Sequence, residues 1–130
     1  MDTDVVVAGL RSPAGASAAV LRLIDAGRAT LLLNVALALE YEAICQLPEH
    51  RQAAAVGPPE VALFVNTIIS LAEPVEVHFR WRPQLRDPGD EMVLETAVNG
   101  RADALVTFNQ RDYGAVPGNF GVEVLAPRDA

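Results

Sequence analysis

A chain of 130 residues and 13.9 kDa is one domain, too short to build two independent cores. Its 51% hydrophobic residues and mean hydropathy of +0.21 exclude intrinsic disorder, and no apolar run approaches the ~20 residues needed to span a bilayer. Seventeen acids against ten bases give a formal charge of −7, which opposes passive binding of nucleic acid through a basic surface.

All ten bases are arginine. The absence of lysine excludes P-loop phosphate binding, Schiff-base chemistry and a lysine-assisted phosphoaspartate switch. Two histidines, His50 and His78, cannot build a histidine cage, and a single cysteine, Cys45, excludes an intrachain disulfide and a cysteine-rich zinc site. Met1-Asp2-Thr3-Asp4 is acidic where a signal peptide is basic, so the expected location is the cytoplasm. Chemistry here falls to carboxylates.

The run Asp4–Leu10 (DVVVAGL) is continuously apolar and reads as a buried strand. Residues 16–26 carry Ala16, Ala19, Val20, Leu23 and Ile24 at helical spacing, with Gly27 as the stop. Thr30–Asn34 (TLLLN) reads as a second buried strand, and residues 35–47 as a helix striped by Leu37, Tyr41, Ile44 and Cys45 and ended by Pro48. A short helical turn is expected over 48–57, and Pro58-Pro59 opens a helix reaching about Ala72. Pro74–Phe79 alternates like a strand, and 80–87 is irregular and basic. Residues 88–99 form a helix capped by Asp87 and stopped by Gly100. Ala104–Phe108 (ALVTF) is a strand, 113–121 a Gly/Pro loop, and Val122–Leu125 the last strand. Alternating helices and apolar strands imply a three-layer α/β/α sandwich around a parallel sheet of about five strands.

In such sheets ligands bind beyond the carboxyl ends of the strands. Four acidic groups can reach that edge: Asp2 with Asp4, Glu40 with Glu42, Asp87 with Asp90 and Glu91, and Asp112. Converging carboxylates repel one another unless a divalent cation joins them. Each group also has a plain structural explanation. Asp2 and Asp4 can be solvated acids at a strand entry; Asp87 is most economically an N-cap; Asp112 can be a loop acid bonding to backbone. Glu40 and Glu42 flank the apolar stripe equally, so periodicity does not choose between them. Asp90 aligns with the apolar face marked by Val93, Leu94 and Ala97, whereas Glu91 and Glu95 read as solvated.

Order and spacing carry more information. The opening Asp2–Ser17, the segment Glu40-Tyr41-Glu42-Ala43, the segment Arg86–Ala97 and the segment Ala102–Tyr113 resemble, in that order, the four motif regions of PIN-domain proteins. They are most similar to the branch of toxin components of bacterial toxin–antitoxin systems. The resemblance covers essentially the whole chain, residues 1–130, as a single PIN-like domain. It implies a ribonuclease in which Asp2, Glu40 and Asp90 hold Mg²⁺ or Mn²⁺, and it thereby selects Glu40 over Glu42. The family commonly has Asn at the position of Asp4 and Asp at the position of Asn109. Either Asp112 or Asn109 therefore fills the fourth acidic position, with Thr107 beside them to orient a metal-bound water. Asp4, Asp87, Glu91 and Asn109 are supporting candidates.

The reaction so implied is in-line hydrolysis of an RNA phosphodiester. Arg80, Arg82 and Arg86, interleaved with Phe79 and Trp81, can grip phosphate or stack on a base; a solvated loop with Trp81 packed on the domain explains them equally. The implied partners are an RNA substrate, a cognate antitoxin and a second copy of the chain, through the helix face carrying Val61, Leu63, Phe64 and Ile68. Two alternatives stand beside this: a non-catalytic PIN-fold module binding RNA or protein, favoured by Asn109, and a phosphatase of the haloacid dehalogenase type, prompted by Asp2-Thr3-Asp4. The latter requires a strand before its aspartates and usually a lysine later, as does a receiver domain, and this sequence offers neither.

Overall fold

A computed structural model describes residues 1–77, 85 and 87–130. Its first element corrects the sequence expectation: Asp4–Leu10 is not a strand but lies within helix α1, Thr3–Arg11. A short apolar run does not distinguish the two, and packing decides against the strand preference of three consecutive valines. As a helix the segment places Val6, Val7 and Leu10 in the core. Gly9 permits a close crossing with α2, Ala16–Asp25, because a Cβ there would meet Leu21 Cδ1 at 2.7 Å.

The chain continues through β1, Leu32–Leu33, to α3, Val35–Cys45. Asn34 caps α3 by accepting the Leu37 N–H at 2.7 Å, which satisfies one of the free amides of the first turn. Helix α4, Pro48–Ala54, ends at Ala55 in a left-handed conformation, φ 57°. Helix α5, Pro58–Leu71, begins on two prolines, with the Glu60 carboxylate accepting the Gly57 N–H at 3.0 Å. Strand β2 is only Glu73–Pro74, so the expected strand over 74–79 is not formed as far as the described residues run; His78 and Phe79 lie outside them. Helix α6, Pro88–Asn99, has its predicted bounds, and the Asp87 carboxylate accepts the Gly89 N–H at 2.7 Å.

Strand β3 is Ala104–Val106, shorter than expected, and β4 is Glu123–Leu125. The Gly/Pro stretch between them is not a plain loop but holds two short helices, α7, Gln110–Tyr113, and α8, Val116–Asn119. The strands are parallel, as expected, but among the described residues they form no single five-stranded sheet: β1 pairs with β2 and β3 with β4 in two separate sheets. With the first apolar run folded as α1, no described strand bridges the pairs. Helix α6 packs on both β1 and β3 and joins the halves. Among the described residues no single helix is long and apolar enough to cross a membrane.

The core gathers Val6, Leu37, Tyr41, Val61, Val65, Val93, Leu105 and Tyr113. This divides the helix face expected to dimerise. Val61 and Ile68 are buried, whereas Leu63 is 69% exposed. Glu91 and Glu95 are buried as well, against the expectation that both are solvated; the Glu91 carboxylate accepts the Leu85 N–H at 2.6 Å. Leu37 has no solvent exposure, so Leu37→Ala is expected to cost about 2–5 kcal/mol, read as a lower urea midpoint at unchanged slope.

Candidate active site

The N-termini of α1 and α6, the middle of α3 and the turn after β3 border one open cavity of about 620 Å³. Asp2, Thr3, Asp4, Glu40, Asp87, Asp90 and Asn109 line it, with Arg11 and His50 also on its wall. Three segments far apart in sequence thus bring their acids to one cavity, and a fourth adds Asn109. Asp2, Glu40 and Asp90, named from the family resemblance, and the supporting candidates Asp4, Asp87 and Asn109 line this cavity; Thr3, Arg11, His50 and Tyr113 were not singled out from sequence.

Asp2 is the most enclosed of these carboxylates, 7% exposed. Thr107 donates its hydroxyl to Asp2 Oδ2 at 2.8 Å, and Tyr113 donates to the same oxygen at 3.0 Å. Tyr113 also lies 3.4 Å from Asp90 Oδ1, so one phenolic proton bridges the first and third acids. Thr107 itself is fully buried and takes the Asn109 N–H at 2.9 Å. Its hydroxyl also lies 3.4 Å from Asp4 Oδ2, so in this structure it braces the Asp2 and Asp4 carboxylates. Glu40 is fixed by the Thr3 hydroxyl, and the Tyr41 hydroxyl donates to the Met1 carbonyl. Glu42 is exposed and does not line the cavity.

Asp4 points its Oδ2 at the turn after β3. It accepts from Asn109 Nδ2 at 3.0 Å and from the Phe108 N–H at 3.2 Å. Its other oxygen, Oδ1, is buried without a hydrogen-bond partner among the described residues. Asp112 is exposed and outside the cavity lining, although its charge reaches Asp90. Arg80, Arg82 and Arg86, with Phe79 and Trp81, fall outside the described residues.

Crowding shows in the titration of these groups. Burial, then the neighbouring Asp2, pushes Asp4 up to about 6. Burial, followed by Asp2, Asp87 and Asp112, pushes Asp90 up to about 6. Burial also holds the Tyr113 phenol well above its ordinary range, where it remains a proton donor, and lowers the Met1 amine to about 6 against the pull of Asp2 and Asp4.

Hard carboxylate oxygens under mutual repulsion, one of them buried and unsatisfied, are the donor set that Mg²⁺ or Mn²⁺ accepts. Among the described residues, however, no three His, Cys, Asp or Glu side chains converge as a ready metal cage. The chemistry of the donors fits a divalent ion, while the acids line the cavity without closing on one point.

The raised carboxyls also set a sign for stability. Between about pH 4 and pH 6 the folded chain holds protons on Asp4 and Asp90 that the unfolded chain releases, so the stability they contribute at acid pH declines as pH rises. In metal-free buffer the wild type should therefore lose stability relative to Asp4→Asn across this window. A constant difference in urea unfolding free energy from pH 4 to pH 6.5 would contradict it.

The Asp2-Thr3-Asp4 run opens helix α1 and the sequence holds no lysine, which leaves the dehalogenase-type alternative without support. The chain matches no curated protein and no solved structure. The family model described as PIN domain matches residues 1–111, from Asp2 through Asn109 of the cavity. PIN domains are a nuclease-type fold whose members typically act as hydrolases and usually employ divalent metal ions. By this match, over most of its length, the chain belongs to the PIN-domain family.

Proposed function

We propose that this chain is a metal-dependent endoribonuclease, the toxin of a toxin–antitoxin pair acting in the cytoplasm. The observation that carries the reading is the cavity itself: Asp2, Asp4, Glu40 and Asp90 arrive from three helix segments and share one wall. Burial and the neighbouring Asp2 raise the pKa of two of them, Asp4 and Asp90, a cost that a bound cation would relieve. The order of the acidic motifs, similar to that of the toxin branch, supports the toxin role.

Asp2, Glu40 and Asp90 would hold Mg²⁺ or Mn²⁺, and such an ion supplies an activated water and neutralises charge on the phosphoryl group. The chain's own contribution is positional. Thr107 and Tyr113 orient Asp2, Tyr113 ties Asp2 to Asp90, and Thr3 orients Glu40. Arg11, 3.5 Å from His50 Nδ1 through its Nη1, brings cationic donors to the same wall for an RNA phosphate.

The fourth carboxylate in this reading is Asp4, and neither Asn109 nor Asp112. The family's common Asn and Asp are exchanged here between positions 4 and 109, and these two side chains bond to one another at 3.0 Å. The number of acids is preserved, with the charge moved across the hydrogen bond. Asp2→Asn is expected to abolish Mn²⁺-dependent cleavage of RNA, and equal cleavage by wild type and mutant would sink the enzyme reading. Asp4→Asn should reduce cleavage by roughly 10–100-fold, and Asp4→Asn with Asn109→Asp should restore most of it. No recovery in the double variant would return the fourth position to Asp112.

A non-catalytic role in binding RNA or protein is favoured by one observation, the absence of a converged three-acid cage among the described residues. Cleavage by the wild type decides between the two. An antitoxin partner accompanies the toxin reading, and a homodimer fits the exposed apolar side chains of α3 and α5. Val35 is 77%, Leu39 62% and Leu63 69% exposed, a candidate pairing face. Light scattering that finds only monomer at high concentration would exclude the dimer.

A further inference from the structure

The cavity that gathers the acids is not acidic along its whole length. On α1 its wall runs from Asp4 through Val7 to Arg11, positions that share one helix face. On α3 the same order begins again, with Glu40 followed one turn later by Ile44, and His50 of α4 comes after them. Seven residues of helix set Arg11 about 10 Å beyond Asp4. The cavity is thus a groove with carboxylates at one end, an apolar middle and a cation at the other.

Arg11 is exposed, and among the described residues no carboxylate pairs with it. Its Nη1 lies 3.5 Å from His50 Nδ1. A guanidinium only donates, so Nδ1 accepts and the ring proton sits on Nε2, which faces Glu49 Oε1 at 4.0 Å. His50 therefore steadies one edge of the guanidinium, and its other N–H groups have no partner among the described residues. The charges that raise Asp4 and Asp90 are all those of other acids, so Arg11 does not serve to neutralise the acidic end. A steadied guanidinium without a carboxylate is a fork for phosphate oxygens.

We infer, resting on the nuclease reading of the acidic end, that Arg11 binds a phosphodiester of the substrate strand other than the one cleaved, with His50 as its positioning residue. A nucleic-acid strand alternates charged phosphates with less polar sugars, and the groove presents the same order. The cleaved linkage lies at the acids, a sugar lies against Val7 and Ile44, and a further phosphate lies at Arg11. That phosphate does not change during the reaction, so its contact is as strong before the transition state as in it. Arg11 therefore sets how well and how long a strand must be to bind, and leaves the chemical step to the acids. A dinucleotide with a single phosphate cannot use it.

Binding is read on a 2′-O-methyl oligoribonucleotide, which resists cleavage, and turnover on the matching RNA with Mn²⁺. Arg11→Gln is expected to raise KM about ten-fold with kcat held within about two-fold. It should also flatten the slope of log affinity against log salt by about 0.7, and Arg11→Lys should restore that slope. His50→Ala is expected to raise KM by less and to add nothing to Arg11→Gln. A neutral methylphosphonate, placed linkage by linkage, should weaken the wild type at a position away from the cleaved bond, where Arg11→Gln is indifferent. A fall in kcat at constant KM overturns the inference, as does an unchanged salt slope or a methylphosphonate effect confined to the cleaved bond. An effect seen only on strands with a 5′-terminal phosphate, or no strand binding by the wild type, overturns it too. Strand binding with the expected signature but without turnover sinks the nuclease reading and supports the phosphate contact.

Discussion

The arrangement depends on keeping the Asp2 carboxylate out of water beside other acids. An ionised carboxylate at 7% exposure is costly without compensation. The compensation visible in the fold is two hydroxyls converging on one oxygen: Thr107 at the end of β3 and Tyr113 at the end of α7. Both come from the C-terminal third of the chain, so the first acid is held by nearly the last elements to be made. This coupling ties the geometry of the pocket to completion of the fold. It also accounts for the full burial of two polar groups that an apolar core would not otherwise choose.

How much of this was readable in advance differs by element. The helix over 88–99 announced both ends, because Asp-Pro opens it and Asn-Gly closes it, and each signal acts locally. The opening segment did not. Three valines favour a strand by local preference, and only the packing of Val6, Val7 and Leu10 against the remaining core makes α1 a helix. Strand lengths were overestimated for a related reason: pairing depends on a neighbour that sequence periodicity does not reveal, and β1 and β2 pair over two residues each.

At the site, the acids were legible as types and in order, while their supports were not. Glu40 and Glu42 are equivalent by periodicity, and the fold separates them by which side of α3 meets Thr3. Tyr113 looked like the edge of a loop, yet its ring is buried and its hydroxyl bridges Asp2 and Asp90. The pairing of Asp4 with Asn109 spans 105 positions. That the two positions which depart from the family's common residues touch one another is visible only in the folded chain.

The beginnings of α1 and α6 both open on this cavity. Peptide dipoles there contribute partial positive charge, and unlike a side chain they have no proton to gain or lose. As the acidity of the medium increases, Asp4 and Asp90 become neutral while the two helix ends stay as they are. The cleft then carries less negative charge against an unchanged partial positive charge from the two helix ends.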